Sequence, residues 1–242
     1  MMSSELSYEH VLFFGRTLAE YELMFGIDIS QWKGSKVLDC PSGPSSFVAE
    51  ARPLGVKAYG CDPVYRNEID YMMELGSKDI DLFVSGQKFL PRFFDQQMAS
   101  DSKSYCEMRR KALSLFGQNF ADGNSNSYYF AASLPNIPHL DQSFDLVLSA
   151  NLLFFYSDIA SGGTLPKSIF DYDFHLNAVL ELYRLCSKEV RIYPLKGPNA
   201  NKHKYLARLI DDLTSSGIDF QLKPVKYRGV MGAEHTLCLV RH

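Results

Sequence analysis

The chain has 242 residues, 46% of them hydrophobic and 22% charged, with a net charge of −3. That length suits one domain with a sizeable core, and the balance excludes global disorder, a collagen-like repeat and a coiled coil. No strong basic excess points to nucleic acid, yet charge is unevenly placed: residues 188–242 carry ten Lys/Arg against five Asp/Glu, and residues 1–187 carry fifteen against twenty-three.

The N-terminus has no basic stretch followed by an apolar one, and no apolar run reaches the roughly 18 residues of a membrane span, so neither secretion nor a membrane partner is expected. Residues 4–26 read as a helix, with Val11, Phe14, Leu18, Tyr21 and Phe25 at spacings of three and four and Gly26 as the stop. KVLDC (36–40) is an apolar run suited to a buried parallel strand, halted by the turn chemistry of PSGPSS. A short helix over 45–55 and a strand over 56–62 complete a βαβ unit. Residues 66–76 read as helix. The stretch 78–127 is longer than this position needs; it holds FLPRFF, the helical CEMRRKALSLF and the polar ADGNSNS. Excess of this kind forms either a lid over a site or an oligomer surface, which leaves a homodimer open.

Beyond it, 127–135 and 144–150 read as strands, 172–186 as helix, 189–195 as strand and 203–217 as helix. The last two strands, 219–227 and 235–241, are joined closely enough for an antiparallel pair. Alternating strands and helices predict a mostly parallel sheet covered on both faces, with ligands beyond the carboxyl ends of the strands. The five cysteines are scattered without a CxxC pair, which predicts reduced thiols in a cytoplasmic protein, and neither HExxH nor a ligand cluster predicts a metal.

The segment VLDCPSGPSSFVAEA…VKAYGCD carries the chemistry. Asp39 closes the first strand, a tight turn holds Gly43, and Asp62 closes the next strand nineteen positions later. A carboxylate there accepts both hydroxyls of a ribose. The turn has one glycine flanked by Pro41 and Pro44, and proline has no N–H to offer a phosphate. The ligand implied has a ribose and a base, no phosphates and a cationic amino-acid tail, the parts of S-adenosylmethionine (SAM).

At these residues the sequence resembles the class I SAM-dependent methyltransferases. Their D/E-x-G-x-G-x-G motif stands here as Asp39-Cys40-Pro41-Ser42-Gly43-Pro44-Ser45, keeping the middle glycine. Residues 131–156, 180–195 and the closing helix–strand–strand are similar to later segments of that family, so the likeness covers about 37–65 and 128–242. The resemblance implies an α/β, three-layer Rossmann-like sandwich: a seven-stranded, mostly parallel sheet with an antiparallel last strand. It forms a single domain over 1–242 with an N-terminal helical cap (1–35) and the helical insertion at 78–127.

The implied cofactor is SAM. Asp39, Pro41, Ser42, Gly43 and Ser45 hold its methionine end, Asp62 and Pro63 its ribose, Ala132 and Ser133 its adenine. Arg16 clamps the carboxylate with Tyr8 as companion, and Tyr65 stacks on the nucleoside or packs in the core. Asn151 lies where the methyl group is expected, and the run Phe154-Phe155-Tyr156 either packs as simple core or shapes an apolar substrate pocket there. No [N/D]-P-P-[Y/F] stands there, which disfavours adenine-N6 or glutamine methylation. Tyr156 is a candidate hydrogen-bonding or proton-accepting group. His175, among Asp158, Asp171 and Asp173, is a candidate general base; a purely structural histidine is the alternative. Arg109, Arg110 and Lys111 present either an acidic-substrate contact or a solvated helix face. The expected acceptor is a small molecule. Lys202, Lys204, Lys223, Lys226 and Arg228 keep RNA open as an anionic one. A silent SAM- or nucleoside-binding module and a nicotinamide-dependent oxidoreductase stand as the alternative functions.

Overall fold

A computed structural model describes residues 7–86, 101–122, 128–198, 202–230 and 232–242. Among these residues seven strands form one sheet: β1 (Lys36–Asp39), β2 (Lys57–Cys61), β3 (Tyr129–Phe130), β4 (Phe144–Ala150), β5 (Cys186–Tyr193), β6 (Asp219–Pro224) and β7 (His235–Val240). Their order is β3-β2-β1-β4-β5-β7-β6. Every pair is parallel except those of β7, which runs antiparallel to β5 and to β6. The α/β Rossmann-like sandwich with a reversed last strand is therefore present. The strand order reverses between β1 and β4, and a crevice opens at such a switch point.

Six helices flank the sheet among the described residues: α1 (Leu18–Phe25), α2 (Phe47–Ala51), α3 (Ile69–Gly86), α4 (Ser102–Ala121), α5 (Tyr172–Leu185) and α6 (Leu206–Ser215). Side chains alternate along β4. From Leu146 onward, Leu146, Leu148 and Ala150 join the core beneath α1–α4, while Val147 joins the one beneath α5 and α6; Phe144, ahead of a register shift, joins the latter as well. This period of two builds three layers from one apolar run.

One expectation needs correction at the N-terminus. The N-terminal helix spans 18–25 rather than 4–26; residues 4–6 lie outside the described residues, and 7–17 run irregularly. A capping box starts α1 at Thr17: its hydroxyl accepts from the Glu20 N–H, and the Glu20 carboxylate accepts from the Thr17 N–H. Upstream N–H groups find partners far away in sequence instead of in a helix, Tyr8 donating to the Thr164 carbonyl (2.8 Å) and Phe13 to Asp79 (2.7 Å). Gly15 lies so close to the turn after β1 that a Cβ there would stand 2.0 Å from the Pro44 carbonyl oxygen.

The segment expected as a helical insertion, 78–127, divides between two helices in its described part. Its first part continues α3 to Gly86 and its second is α4; FLPRFF (89–94) and residues 123–127 lie outside the described residues. The predicted third strand shortens to Tyr129–Phe130. Beyond it a turn bridges Ser133 to Asn136, around Pro135, which has no N–H for a ladder.

Candidate functional site

The turn after β1 carries Gly43 in the left-handed region (φ 53°). The Ser42 N–H donates to the Cys61 carbonyl (2.9 Å), which ties the turn to the end of β2. The Gly43 N–H donates to one oxygen of Asp62 (2.9 Å) and the Val64 N–H to the other (2.9 Å). Each oxygen of Asp62 keeps a lone pair for a further donor. Burial pushes the Asp62 carboxyl up to about 6.

Asp39 lies behind this turn, fully buried. One oxygen accepts from the hydroxyls of Tyr21 (2.7 Å), Ser42 (2.7 Å) and Ser45 (3.1 Å). The other, Oδ1, has no hydrogen-bond partner among the described residues. Burial outweighs these hydroxyl donors and lifts the Asp39 carboxyl to about 7. The serine in place of the last motif glycine thus points inward as a donor to Asp39. Tyr21, whose hydroxyl lies among the same groups, was expected only as part of an apolar stripe. A hydroxyl reaching across to another element leaves no mark in spacing.

A cleft opens in front of these groups. Arg16, Tyr21, Pro41, Ser42, Gly43 and Asp62 line one part, with Pro63, Ala132, Ser133 and Asn151 beside them. The sheet therefore gathers ten of the expected site residues around one space, counting Tyr156, with Asp39 and Ser45 just behind. Asn151 sits at the end of β4 with φ 60°, a conformation that side chains seldom adopt. Its Oδ1 is buried with no partner among the described residues, and the same holds for Nε of Arg16. The Arg16 Nη1 group donates to the Tyr105 hydroxyl (3.0 Å) and lies 3.5 Å from Glu20.

The other part of the cleft is carbon. The irregular N-terminal segment supplies Val11 to Phe14, α3 supplies Leu75 and Phe83, and the stretch after β4 supplies Leu152, Phe155 and Tyr156. Phe170 and Phe174 complete it, their rings 4.7 Å apart. The Tyr156 hydroxyl accepts from the Leu12 N–H (3.3 Å). Burial pushes its phenol well above the ordinary range, which favours the hydrogen-bonding side of the expectation over the proton-accepting one.

Several expected residues lie elsewhere. His175 is buried on α5 outside the cleft wall. Its Nε2 accepts from the Phe154 N–H (3.0 Å), so Nδ1 carries the proton and donates to the Asp171 carbonyl (2.7 Å). With both nitrogens engaged and burial holding its pKa low, the general-base expectation is corrected to a structural one. Tyr65 stacks on Phe116 with ring centroids 5.6 Å apart, and its hydroxyl donates to the Gly43 carbonyl; it belongs to the core. Arg109 is buried against the Glu20 carboxylate and Arg110 pairs with Asp81 on the surface (2.6 Å). None of Lys202, Lys204, Lys223, Lys226 and Arg228 lines the cleft; Lys223 pairs with Glu189 (2.9 Å).

Glu20 draws Arg109, Arg16 and the Tyr227 hydroxyl (3.0 Å) to one carboxylate. Burial alone would raise the Glu20 pKa, but the two guanidinium groups hold it below the usual range. This cluster fixes Arg16 at the cleft and α4 against the N-terminal segment. Among the described residues no group of His, Cys, Asp or Glu is arranged to hold a metal, and no helix is long and apolar enough to cross a membrane.

No family model matches the chain. It is 24% identical over 238 residues to an uncharacterised protein of Methanocaldococcus jannaschii, an alignment covering 98% of this chain and 99% of the other. Among solved structures, a protein of Methanococcus maripaludis assigned as a SAM-dependent methyltransferase matches 93% of this chain and 83% of its own, with 13% identity and a TM-score of 0.40. A SAM-dependent methyltransferase of Aquifex aeolicus matches 90% of each chain, with 13% identity and a TM-score of 0.37. The fold assignment rests on the strand order of this chain itself.

Proposed function

We propose that the chain binds SAM in this cleft and transfers its methyl group to a small-molecule acceptor. One observation carries the reading: among the described residues, buried polar atoms without partners stand at one end of the cleft, Asn151 Oδ1 as an acceptor and Arg16 Nε as a donor on its wall, with Asp39 Oδ1 as a second acceptor just behind the turn. Buried polar groups are almost always paired. Two acceptors and a cationic donor complement the ammonium and carboxylate of an amino-acid tail. The residues present therefore fit the methionine end of SAM.

In this reading Asn151 and Asp39 hold the ammonium, Asp39 acting from behind the turn through its charge. Arg16 holds the carboxylate. Asp62 offers its remaining lone pairs to the ribose hydroxyls. Ala132 and Ser133 edge the adenine. SAM brings its own electrophile, a methyl group on a sulfonium. The protein's part is then to orient the two reactants and to keep water out, which the walls made by Val11 to Phe14 and by Leu152, Phe155 and Tyr156 support.

Thermal unfolding with SAM, S-adenosylhomocysteine (SAH) and NAD tests the assignment. At 100-fold excess over Kd a ligand adds about 2.7 kcal/mol, so SAM and SAH should each raise Tm by about 5 °C or more, with no shift from NAD. A shift with NAD alone would contradict the proposal.

A further inference from the structure

We infer that the methyl acceptor is an uncharged, largely apolar small molecule bearing one hydrogen-bond-accepting oxygen or nitrogen, which the Tyr156 hydroxyl grips. The inference rests on the cofactor reading above, since it concerns the part of the same cleft that SAM would leave open.

Two observations carry it. First, charge in the cleft is segregated. Among the described residues the ionisable side chains lining it are Arg16, Tyr21, Cys40, Asp62 and Tyr156, and all but Tyr156 flank the turn after β1 or the end of β2. The far part is built from Phe14 and Phe83, with centroids 4.6 Å apart, from Leu152 and Phe155, and from the Phe170–Phe174 pair. A charged acceptor entering there would lose its hydration against carbon walls. An aromatic body would stack on them.

Second, among the described residues the apolar part has one polar side chain, Tyr156. Tyr156 is 6% exposed, and its oxygen already accepts from the Leu12 N–H. Its own proton has no acceptor among the described residues. The phenol is thus held in place by the backbone as a donor with one bond left to give. A buried donor of this kind selects a ligand that supplies the acceptor over one that does not.

Quinoline, quinoline-6-carboxylate and N-methylquinolinium are suitable probes, sharing one ring system with neutral, negative and positive charge. Each is titrated calorimetrically into the full chain saturated with SAH. Quinoline should bind at least tenfold more tightly than either charged probe. Tyr156→Phe should weaken quinoline about fivefold, the loss of one hydrogen bond, while SAH affinity stays within twofold. Phe174→Lys, at a half-buried position and checked for folding by its thermal transition, should bring the carboxylate probe to parity with quinoline or better. Equal binding of a charged probe to the unsubstituted chain, or an unchanged quinoline affinity in Tyr156→Phe, would overturn the acceptor class. A folded chain that takes up no SAH would instead overturn the cofactor reading beneath it.

Discussion

Asp39 shows how one residue ties stability to binding. Its carboxyl is raised from an ordinary value near 3.8 to about 7 by burial. A group held protonated in the fold and ionised in the open chain stabilises the protein fully below pH 4, and that contribution is lost as the pH rises through 7. Asp39→Asn should therefore raise the Tm of the ligand-free protein at pH 8 by about 2–4 °C, of order 1 kcal/mol for a chain of this length. The same substitution should weaken SAH at least tenfold, because the ionised carboxylate is what attracts the ammonium. For the same reason SAH affinity of the unsubstituted protein should climb between pH 6 and 7.5. A flat profile would mean that Asp39 does not meet the ammonium. His175→Ala makes the contrasting case. It removes partners from the Phe154 N–H and the Asp171 carbonyl, so it should cost about 2–3 kcal/mol in denaturant unfolding and leave SAH affinity within twofold.

At the scale of elements, the βαβ unit was legible because its signals are local. KVLD is apolar and short, Gly43 sits where the turn needs a left-handed residue, and Asp39 and Asp62 each fall at a strand end. The N-terminal segment was not legible, because tertiary contacts decide its path. Val11, Phe14 and Leu18 keep helical spacing, yet Tyr8, Leu12 and Phe13 bond through their N–H groups to Thr164, Tyr156 and Asp79. No single sequence window contains those partners. Gly15→Ala tests how closely this segment must lie on the turn. Its Cβ would meet the Pro44 carbonyl, so the segment must lift. Both Tm and SAH affinity should fall, the latter through displacement of Arg16. A variant with unchanged SAH affinity would separate Arg16 from the cofactor. The α4 helix poses a similar lesson. Arg109 reads as one of three surface cations, and only the fold shows it buried against Glu20. Arg109→Met strips the buried Glu20 carboxylate of its nearest cation and should destabilise the protein by about 3–5 kcal/mol.

At the scale of the whole molecule, the charge asymmetry of the sequence does not translate into a basic wall at the cleft among the described residues. Lys223 is spent on Glu189, and Arg228 donates to the carbonyls of Val225 and Tyr227. What the sheet order does achieve is convergence. Residues from positions 39, 62, 133 and 151 come together because β1, β2, β3 and β4 are neighbours whose carboxyl ends point the same way, and the N-terminal segment lays Arg16 beside them. The most direct measurement of the account is a calorimetric titration of the full chain with SAH at pH 7, in phosphate and again in Tris. It predicts one SAH per chain at micromolar Kd, proton release that makes the two apparent heats differ, and at least tenfold weaker binding in Asp39→Asn. A folded protein that gives no heat, or one whose Asp39→Asn variant binds equally well, would contradict it.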